Sequence, residues 1–209
     1  MKIILISDTH NQHGGLELPE GDMIIHAGDV SSRGVKSEVE NFLTWYSSLS
    51  YKYKIFIAGN HDFFFEDRTR EIINEIIPDN VIYLDDELVI IEGIKIWGSP
   101  VQPWFHNWAF NRQRGVDIKK HWDLIPSDID ILITHGPAYK ILDKVKYGND
   151  FVGCEDLLEK INEIKPKIFV CGHIHEAYGK MQIGNTMCYN ASVLDERYKL
   201  VNKPFVIEI

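Results

Sequence analysis

The sequence predicts an α/β fold with mixed β-sheets. Three observations indicate this: short apolar runs rich in β-branched residues recur, helical patterns separate several of them, and two pairs of runs are joined by tight polar turns. Runs that are nearly all apolar are typical of strands covered on both faces. The predicted strands are residues 2–7, 23–26, 54–58, 88–91, 95–97, 129–134, 167–171, 186–190 and 205–209.

Helical patterns and tight turns complete this prediction. The clearest helix is residues 154–164, where Leu157, Leu158, Ile161 and Ile164 form one apolar stripe. Turns at residues 92–93 and 184–185 predict two hairpins, and hence antiparallel pairs in the sheets. The other predicted helices are residues 36–48 and 68–77.

Composition narrows the function classes. The 209 residues carry 31 acidic and 22 basic side chains, a formal charge of −9, which argues against long nucleic acid or an anionic membrane as the main partner. No apolar run is long enough for a signal peptide or a membrane span, so we expect a cytoplasmic protein. The absence of linker-like segments predicts one domain over residues 1–209, and the three scattered cysteines predict buried reduced thiols.

Polar residues of the metal-ligand type follow five of the apolar strands. The carboxyl ends of strands in an open α/β sheet border the ligand crevice, so these endings are expected to converge. The glycines among them allow backbone to approach a bound ion closely. The five endings are Asp8-Thr9-His10, Gly28-Asp29, Gly59-Asn60-His61-Asp62, Thr134-His135-Gly136 and Gly172-His173-Ile174-His175.

The ligand types among these residues predict a metal centre. Oxygen and nitrogen donors without sulfur suit Mn, Fe, Mg or Zn rather than a structural zinc site. Seven ligands are too many for one small ion, whereas two ions that share a bridging carboxylate use all of them and leave positions for water and substrate. The seven are Asp8, His10, Asp29, Asn60, His135, His173 and His175; the remaining histidines, His13, His26, His106 and His121, are interpreted as ordinary core or surface residues.

These five blocks resemble the motifs of calcineurin-like metallophosphoesterases. Further stretches, at residues 98–100, 103–105, 108–111, 153–154 and 190–192, are similar to the metallophosphoesterase-domain-containing (fetal-brain 239) subgroup. The resemblance implies a two-sheet mixed β-sandwich flanked by helices (αββα). It also implies two divalent metal ions, usually supplied as manganese, with Fe, Mg, Zn or Ni as alternatives. The implied activity is phosphodiester hydrolysis of small substrates, cyclic nucleotides among them.

The resemblance also assigns roles to single residues. It implies that His61 lies beside the substrate phosphate and protonates the leaving oxygen, or stabilises charge on it, after attack by water that the metals activate. Arg33 aligns with an arginine that contacts phosphate in protein phosphatases, although a solvated loop arginine is the alternative. Ser32 replaces the acid that pairs with the catalytic histidine in those enzymes, which leaves Asp62 as a candidate to orient His61. The implied ligand sets are Asp8, His10 and His175 for one metal and Asn60, His135 and His173 for the other, with Asp29 bridging.

An aromatic segment at residues 100–115 has two interpretations. Trp104, Phe105, Trp108 and Phe110 could form a wall on which a nucleobase stacks, or a cover that closes the core. Arg112 and Arg114 could neutralise phosphate or face water, and the polar stretch 139–152 is predicted to be a loop near the site.

Three rival functions share this sequence pattern. A nuclease, a phosphomonoesterase or phosphoprotein phosphatase, and a non-catalytic interaction scaffold can all be built on the same core. The charge of −9 disfavours the nuclease. The complete ligand set disfavours the scaffold, and the sequence leaves the oligomeric state open.

Overall fold

The computed structural model describes residues 1–146, 148 and 150–209; Tyr147 and Asn149 of the predicted 139–152 loop lie outside the described residues. The strands are β1 Lys2–Ile6, β2 Met23–Ala27, β3 Tyr53–Ile57, β4 Ile82–Tyr83, β5 Glu87–Ile91, β6 Ile94–Ser99, β7 Gln102–Pro103, β8 Asn111–Arg112, β9 Ile131–Thr134, β10 Ile168–Cys171, β11 Gly179–Ile183, β12 Thr186–Asn190 and β13 Phe205–Glu208. The helices are α1 Lys36–Ser48, α2 Phe63–Glu66, α3 Arg70–Ile76, α4 Val116–Trp122 and α5 Glu155–Ile164.

Two mixed sheets contain most of the strands. The first has the order β13-β1-β2-β3-β4, and the second the order β11-β12-β10-β9-β6-β5. Strands β1, β2 and β3 run parallel, as do β6, β9, β10 and β12. The hairpins β5–β6 and β11–β12 are antiparallel, which confirms both hairpin predictions.

The sheets pack face to face with helices outside. Fully buried residues of the first sheet, such as Leu5 and Ile25, share one apolar cluster with Ile133 and Val170 of the second. Phe42 and Tyr46 of α1 pack against the other face of the first sheet, and Leu157 and Ile161 of α5 against the other face of the second. Each sheet is covered on both faces, which explains the nearly all-apolar strands and confirms the αββα expectation.

The structure contains elements that the sequence patterns did not predict. Helix α4 is absent from the predicted helices because it buries only Ile118 and Trp122, too few positions for a clear stripe. Strands β4, β7 and β8 have two residues each, below the length at which alternation is recognisable. The three cysteines are free and buried, as expected. Among the described helices, none combines the length and apolar character that spanning a membrane requires.

Candidate metal centre and substrate cavity

The five predicted strand endings come together at one edge of the sandwich. Asp8 and His10 follow β1, Asp29 follows β2, and Asn60 follows β3, so the first sheet contributes four candidate ligands. The second sheet contributes the other three after β9 and β10. Parallel neighbours end at the same edge, which is why residues far apart in the chain meet here. The ligands from the second sheet are His135, His173 and His175.

The candidate ligands form two clusters joined by one carboxylate. The ligand atoms of Asp8, His10 and His175 lie within 4.8 Å of one another, as do those of Asp29, His135 and His173. The Asp29 Oδ2 atom lies 3.5 Å from His10 Nε2 and 3.4 Å from His135 Nε2. One carboxylate oxygen therefore lies between histidines of the two clusters.

Asn60 belongs to the second cluster. Its Oδ1 atom lies 2.9 Å from His135 Nε2, and its side chain is 4% exposed. All seven predicted ligands are thus gathered at the same place.

Hydrogen bonds to backbone carbonyls orient the rings of two histidines toward the clusters. The Nδ1 atom of His135 donates to the Ala27 carbonyl at 3.0 Å, and that of His175 to the Asp195 carbonyl at 2.9 Å. Each ring therefore keeps Nε2 toward the carboxylates, the arrangement that fixes metal-ligating histidines in general. Ser192, to which the sequence patterns assign no role, donates from Oγ to Asp8 Oδ2 at 2.7 Å and orients that carboxylate.

Two glycines permit the close approach of the loops. A Cβ atom at Gly172 would lie 2.0 Å from Ser7 Oγ and 2.2 Å from Asp8 Oδ2. One at Gly59 would lie 2.3 Å from Asp29 Oδ1. Any larger residue at either position would displace a candidate ligand. Glycine is therefore required at these positions by the geometry of the site and not by strand formation.

His61 is oriented by a backbone carbonyl. Its Nδ1 atom donates to the Ser32 carbonyl oxygen at 2.7 Å, and its ring stacks on Trp108 with centroids 4.3 Å apart. Its backbone N–H donates to Asp29 Oδ1 at 2.8 Å. The ring also lies 4.5 Å from that of His10, at the edge of the first cluster. His61 is therefore fixed beside the candidate metal ligands through contacts on three sides.

Asp62 does not orient His61 as the sequence suggested. Its buried carboxylate accepts hydrogen bonds from the backbone N–H groups of Val30, Ser31 and Gly59 and from Ser31 Oγ. Burial, together with the charge of Asp29, raises the pKa of Asp62 to about 6. Asp62 thus connects the loops after β2 and β3 through hydrogen bonds. The carbonyl of Ser32, in the loop after β2, orients His61 instead.

Arg33 has no side-chain contact with the candidate ligands among the described interactions. Its side chain is exposed, and its backbone N–H donates to Glu38 Oε2 at 2.8 Å. It does not belong to the cavity lining. The structure thus favours the solvated-loop interpretation of Arg33.

A family model described as calcineurin-like phosphoesterase matches residues 1–177 of the chain. The chain belongs to the calcineurin-like phosphoesterase family. It is 41% identical to human metallophosphoesterase domain-containing protein 1 over all of this chain and 71% of that protein. It is 34% identical to a UPF0046 protein of Caenorhabditis elegans, over all of this chain and 75% of that one. The protein is accordingly a metal-dependent phosphoric ester hydrolase by family.

The fold is also similar to that of solved structures. One is a phosphopantetheinyl hydrolase from Mycobacterium tuberculosis, with a TM-score of 0.64 and 15% identity over 94% of this chain and 90% of that chain. At this identity the similarity concerns the architecture alone.

An aromatic cavity of about 450 Å³ adjoins the clusters of this phosphoesterase. Trp104, Phe105 and Trp108 line it, and the first two are 53% and 55% exposed. Phe110 is 4% exposed and belongs to the core on the outer face of the first sheet. The aromatic segment is therefore divided: three of its side chains line the cavity, and Phe110 belongs to the core.

The arginines of that segment have structural partners. Arg114 lines the cavity, but its guanidinium donates to the carbonyls of Val152 and Gly153 and pairs with Glu155. Arg112 pairs with Glu66, away from the clusters. Both arginines thus link separate segments of the chain.

Tyr198 is a site residue that sequence reasoning missed. Its ring lies 4.9 Å from that of His10 and 5.1 Å from that of His175, edge to face in both cases. It is 48% exposed and lines the aromatic cavity. Tyr198 lies outside the five predicted strand endings, so only the tertiary structure brings it here.

The donor set fits a pair of divalent cations. The Nε2 atoms of His10 and His175 face each other at 3.3 Å, an arrangement that needs a proton or a cation between their lone pairs. Burial lowers the pKa of His173 to about 3, which leaves this ring neutral and able to ligate. Oxygen and nitrogen donors without sulfur suit several divalent ions.

Metal binding is expected to release protons. Burial alone would lower the pKa of His135 and His175 from 6.5, but the carboxylates of Asp29 and Asp8 raise both to about 9. Without metal, both rings are charged at pH 7, and their ion pairs stabilise the fold fully below pH 6.5 and lose this effect as pH rises through 9. A cation must displace these protons, so its apparent affinity should rise over the same window.

Calorimetric titration of Mn²⁺ into chelator-treated protein tests this expectation. Two buffers with different ionisation enthalpies give the number of protons released at pH 7. Binding without proton release, or with an affinity that does not change between pH 6.5 and 9, would contradict it.

Proposed function

We propose that the protein hydrolyses small phosphodiesters, nucleotides among them, with a centre of two divalent metal ions. The observation that carries this proposal is the position of Asp29 Oδ2 between His10 and His135, which joins two ligand clusters beside an aromatic cavity. Cyclic nucleotides and manganese are the first substrate class and metal to test.

Each of the two proposed ions would have its own set of side-chain ligands, with one ligand shared. Asp8, His10 and His175 would hold one ion, and Asn60, His135 and His173 the other, with Asp29 shared. When bound, the ions supply positive charge for the phosphoryl oxygens and lower the pKa of coordinated water. The carbonyls of Ala27 and Asp195 keep His135 and His175 in the orientation that ligation requires.

His61 would act on the leaving group. Its Nδ1 proton is engaged by the Ser32 carbonyl, so Nε2 is the atom through which the ring can pass a proton to the departing ester oxygen. The stack on Trp108 keeps the ring facing the cavity. A positioned acid of this kind is useful because an alkoxide is a poor leaving group unless it is protonated.

A substrate panel tests the proposed function. It contains 2′,3′- and 3′,5′-cyclic nucleotides, bis(p-nitrophenyl) phosphate and p-nitrophenyl phosphate, each with Mn²⁺ and after chelator treatment. We expect metal-dependent hydrolysis of the diesters, with rates for the cyclic nucleotides that depend on the base. Hydrolysis of the monoester alone would contradict the diesterase proposal and support a phosphomonoesterase.

Substitution of Trp104 tests the aromatic wall. Base stacking is worth about 1–3 kcal/mol, so Trp104→Ala should raise KM for a cyclic nucleotide by roughly tenfold or more and change kcat little. Leu124→Ala removes an exposed apolar side chain outside the cavity and serves as the matched control. An unchanged KM in the Trp104 variant would show that the base does not stack there.

A further inference from the structure

A second cavity meets the aromatic cavity at the candidate metal centre. It has a volume of about 360 Å³ and is lined by His173, His175, Glu176, Glu196, Arg197 and Tyr198. Three of these, the two histidines and Tyr198, also line the aromatic cavity. A phosphate held at the centre would therefore lie where two cavities join.

Tyr198 lines both cavities, and its loop is held in place. Its backbone φ of +57° is in the left-handed region, which a tyrosine adopts only where its surroundings require it. Asp195 Oδ1 accepts the backbone N–H groups of Arg197 and Lys199, both at 2.9 Å. Gln12 Nε2 donates to the Tyr198 carbonyl at 3.0 Å. The position of Tyr198 beside both cavities is thus fixed by its loop.

The two cavities differ in chemistry. The first is walled by Trp104, Phe105 and Trp108, whereas the second presents two carboxylates and one guanidinium. Both carboxylates are held by Lys146, whose backbone N–H donates to Glu176 and whose Nζ pairs with Glu196, each at 3.0 Å. This lining offers acceptors and a donor to hydroxyl groups, and the charges of Arg197 and Lys146 balance those of Glu176 and Glu196.

A phosphodiester has two organic arms on one phosphorus atom, and a site with two cavities at one phosphate position matches that shape. A cyclic nucleotide carries both ester bonds on one ribose and would leave the second cavity unused. A monoester has one arm only. The geometry therefore favours linear diesters over both.

We propose that the preferred substrate is a linear phosphodiester with one aromatic arm and one neutral, hydroxyl-bearing arm. The aromatic arm lies against Trp104 and Trp108, the second arm lies beside Glu176, Glu196 and Arg197, and Tyr198 lies beside both. This inference rests on the proposed diesterase function and specifies its substrate class.

A matched substrate series tests the second arm. The substrates are diesters of adenosine 5′-phosphate with glycerol and with methanol, which differ only in a hydroxyl-bearing and a minimal arm. Hydrogen bonds to charged groups are worth about 1.5–3 kcal/mol. We therefore expect kcat/KM for the glycerol diester to exceed that for the methyl diester by about tenfold or more.

Variants locate the preference in the second cavity. Arg197→Ala should bring the glycerol-to-methyl ratio of kcat/KM toward one. Tyr198→Ala should lower the ratio, whereas Tyr198→Phe, which keeps the ring, should preserve it. Arg68→Ala removes an exposed arginine outside both cavities and is the control. Dissociation constants of the corresponding phosphorothioate diesters, followed by tryptophan fluorescence, should show the same ratios.

Two outcomes separate this inference from the proposed function. If the protein hydrolyses diesters but does not distinguish the glycerol arm from the methyl arm, or if Arg197→Ala keeps the wild-type ratio, the inference is overturned and the diesterase function stands. If no diester is hydrolysed with any divalent metal, the proposed function fails and the inference fails with it.

Discussion

His61→Ala should lower kcat by roughly 10² to 10⁴-fold, the range that a positioned general acid contributes, while the protein retains its metal. The reason for this separation is that the contact between His61 and Asp29 Oδ1 is made by the backbone N–H, which alanine also provides. Steady-state kinetics and elemental analysis of the same preparation measure the two quantities.

The leaving group decides whether His61 donates a proton. A diester that releases p-nitrophenolate needs little protonation, whereas one that releases an alcohol needs a proton. The loss in His61→Ala should therefore be much larger for the alcohol. A parallel loss of activity and metal would contradict the assigned role, and an equal loss for both leaving groups would leave His61 only a charge-stabilising role.

Asp29→Asn is expected to lower both the metal content and the activity of the protein. Asparagine keeps the shape of the side chain but removes the charge that lies between His10 and His135. Without that charge a second cation is not held close to the first. We expect the metal content to fall from two ions to at most one, and kcat/KM to fall by roughly 10³-fold or more.

Elemental analysis and kinetics after dialysis against limiting Mn²⁺ measure this effect. Asp123→Asn changes an exposed aspartate at the end of α4 and should behave as the wild type. An Asp29→Asn protein with two ions and wild-type turnover would show that Asp29 does not bridge.

The strand endings made the fold and the candidate ligands predictable. A buried parallel strand has a strong apolar pattern, and residues such as Asp8, Asp29 and His135 follow such strands directly. Their convergence needs no knowledge of loop conformation, because parallel neighbours end at one edge. Helix α1 was predicted with the observed bounds for a similar reason, since its buried stripe is long.

Features that depend on loop conformation were not predictable. The partner of His61 is the backbone carbonyl of Ser32, and every residue has a carbonyl, so the sequence suggested the nearby carboxylate of Asp62 instead. Tyr198 reaches the site through a left-handed turn outside the five predicted strand endings. Phe110 and Trp108 are two residues apart, yet one is core and the other lines the cavity, a division that only the path of the chain determines.

The candidate ligands come from both sheets, so metal ions bound at the centre would stabilise the protein against unfolding. Asp8, Asp29 and Asn60 belong to one sheet, and His135 and His173 to the other. Ions held by both sets act as a non-covalent cross-link through the end of the sandwich. Because the sheets cannot separate without releasing the ions, a hundredfold excess of free ion over its dissociation constant adds about 2.7 kcal/mol per site to the free energy of unfolding. The stability of the protein against heat and against chelators would then depend on the concentration of free metal ion as well as on the apolar core.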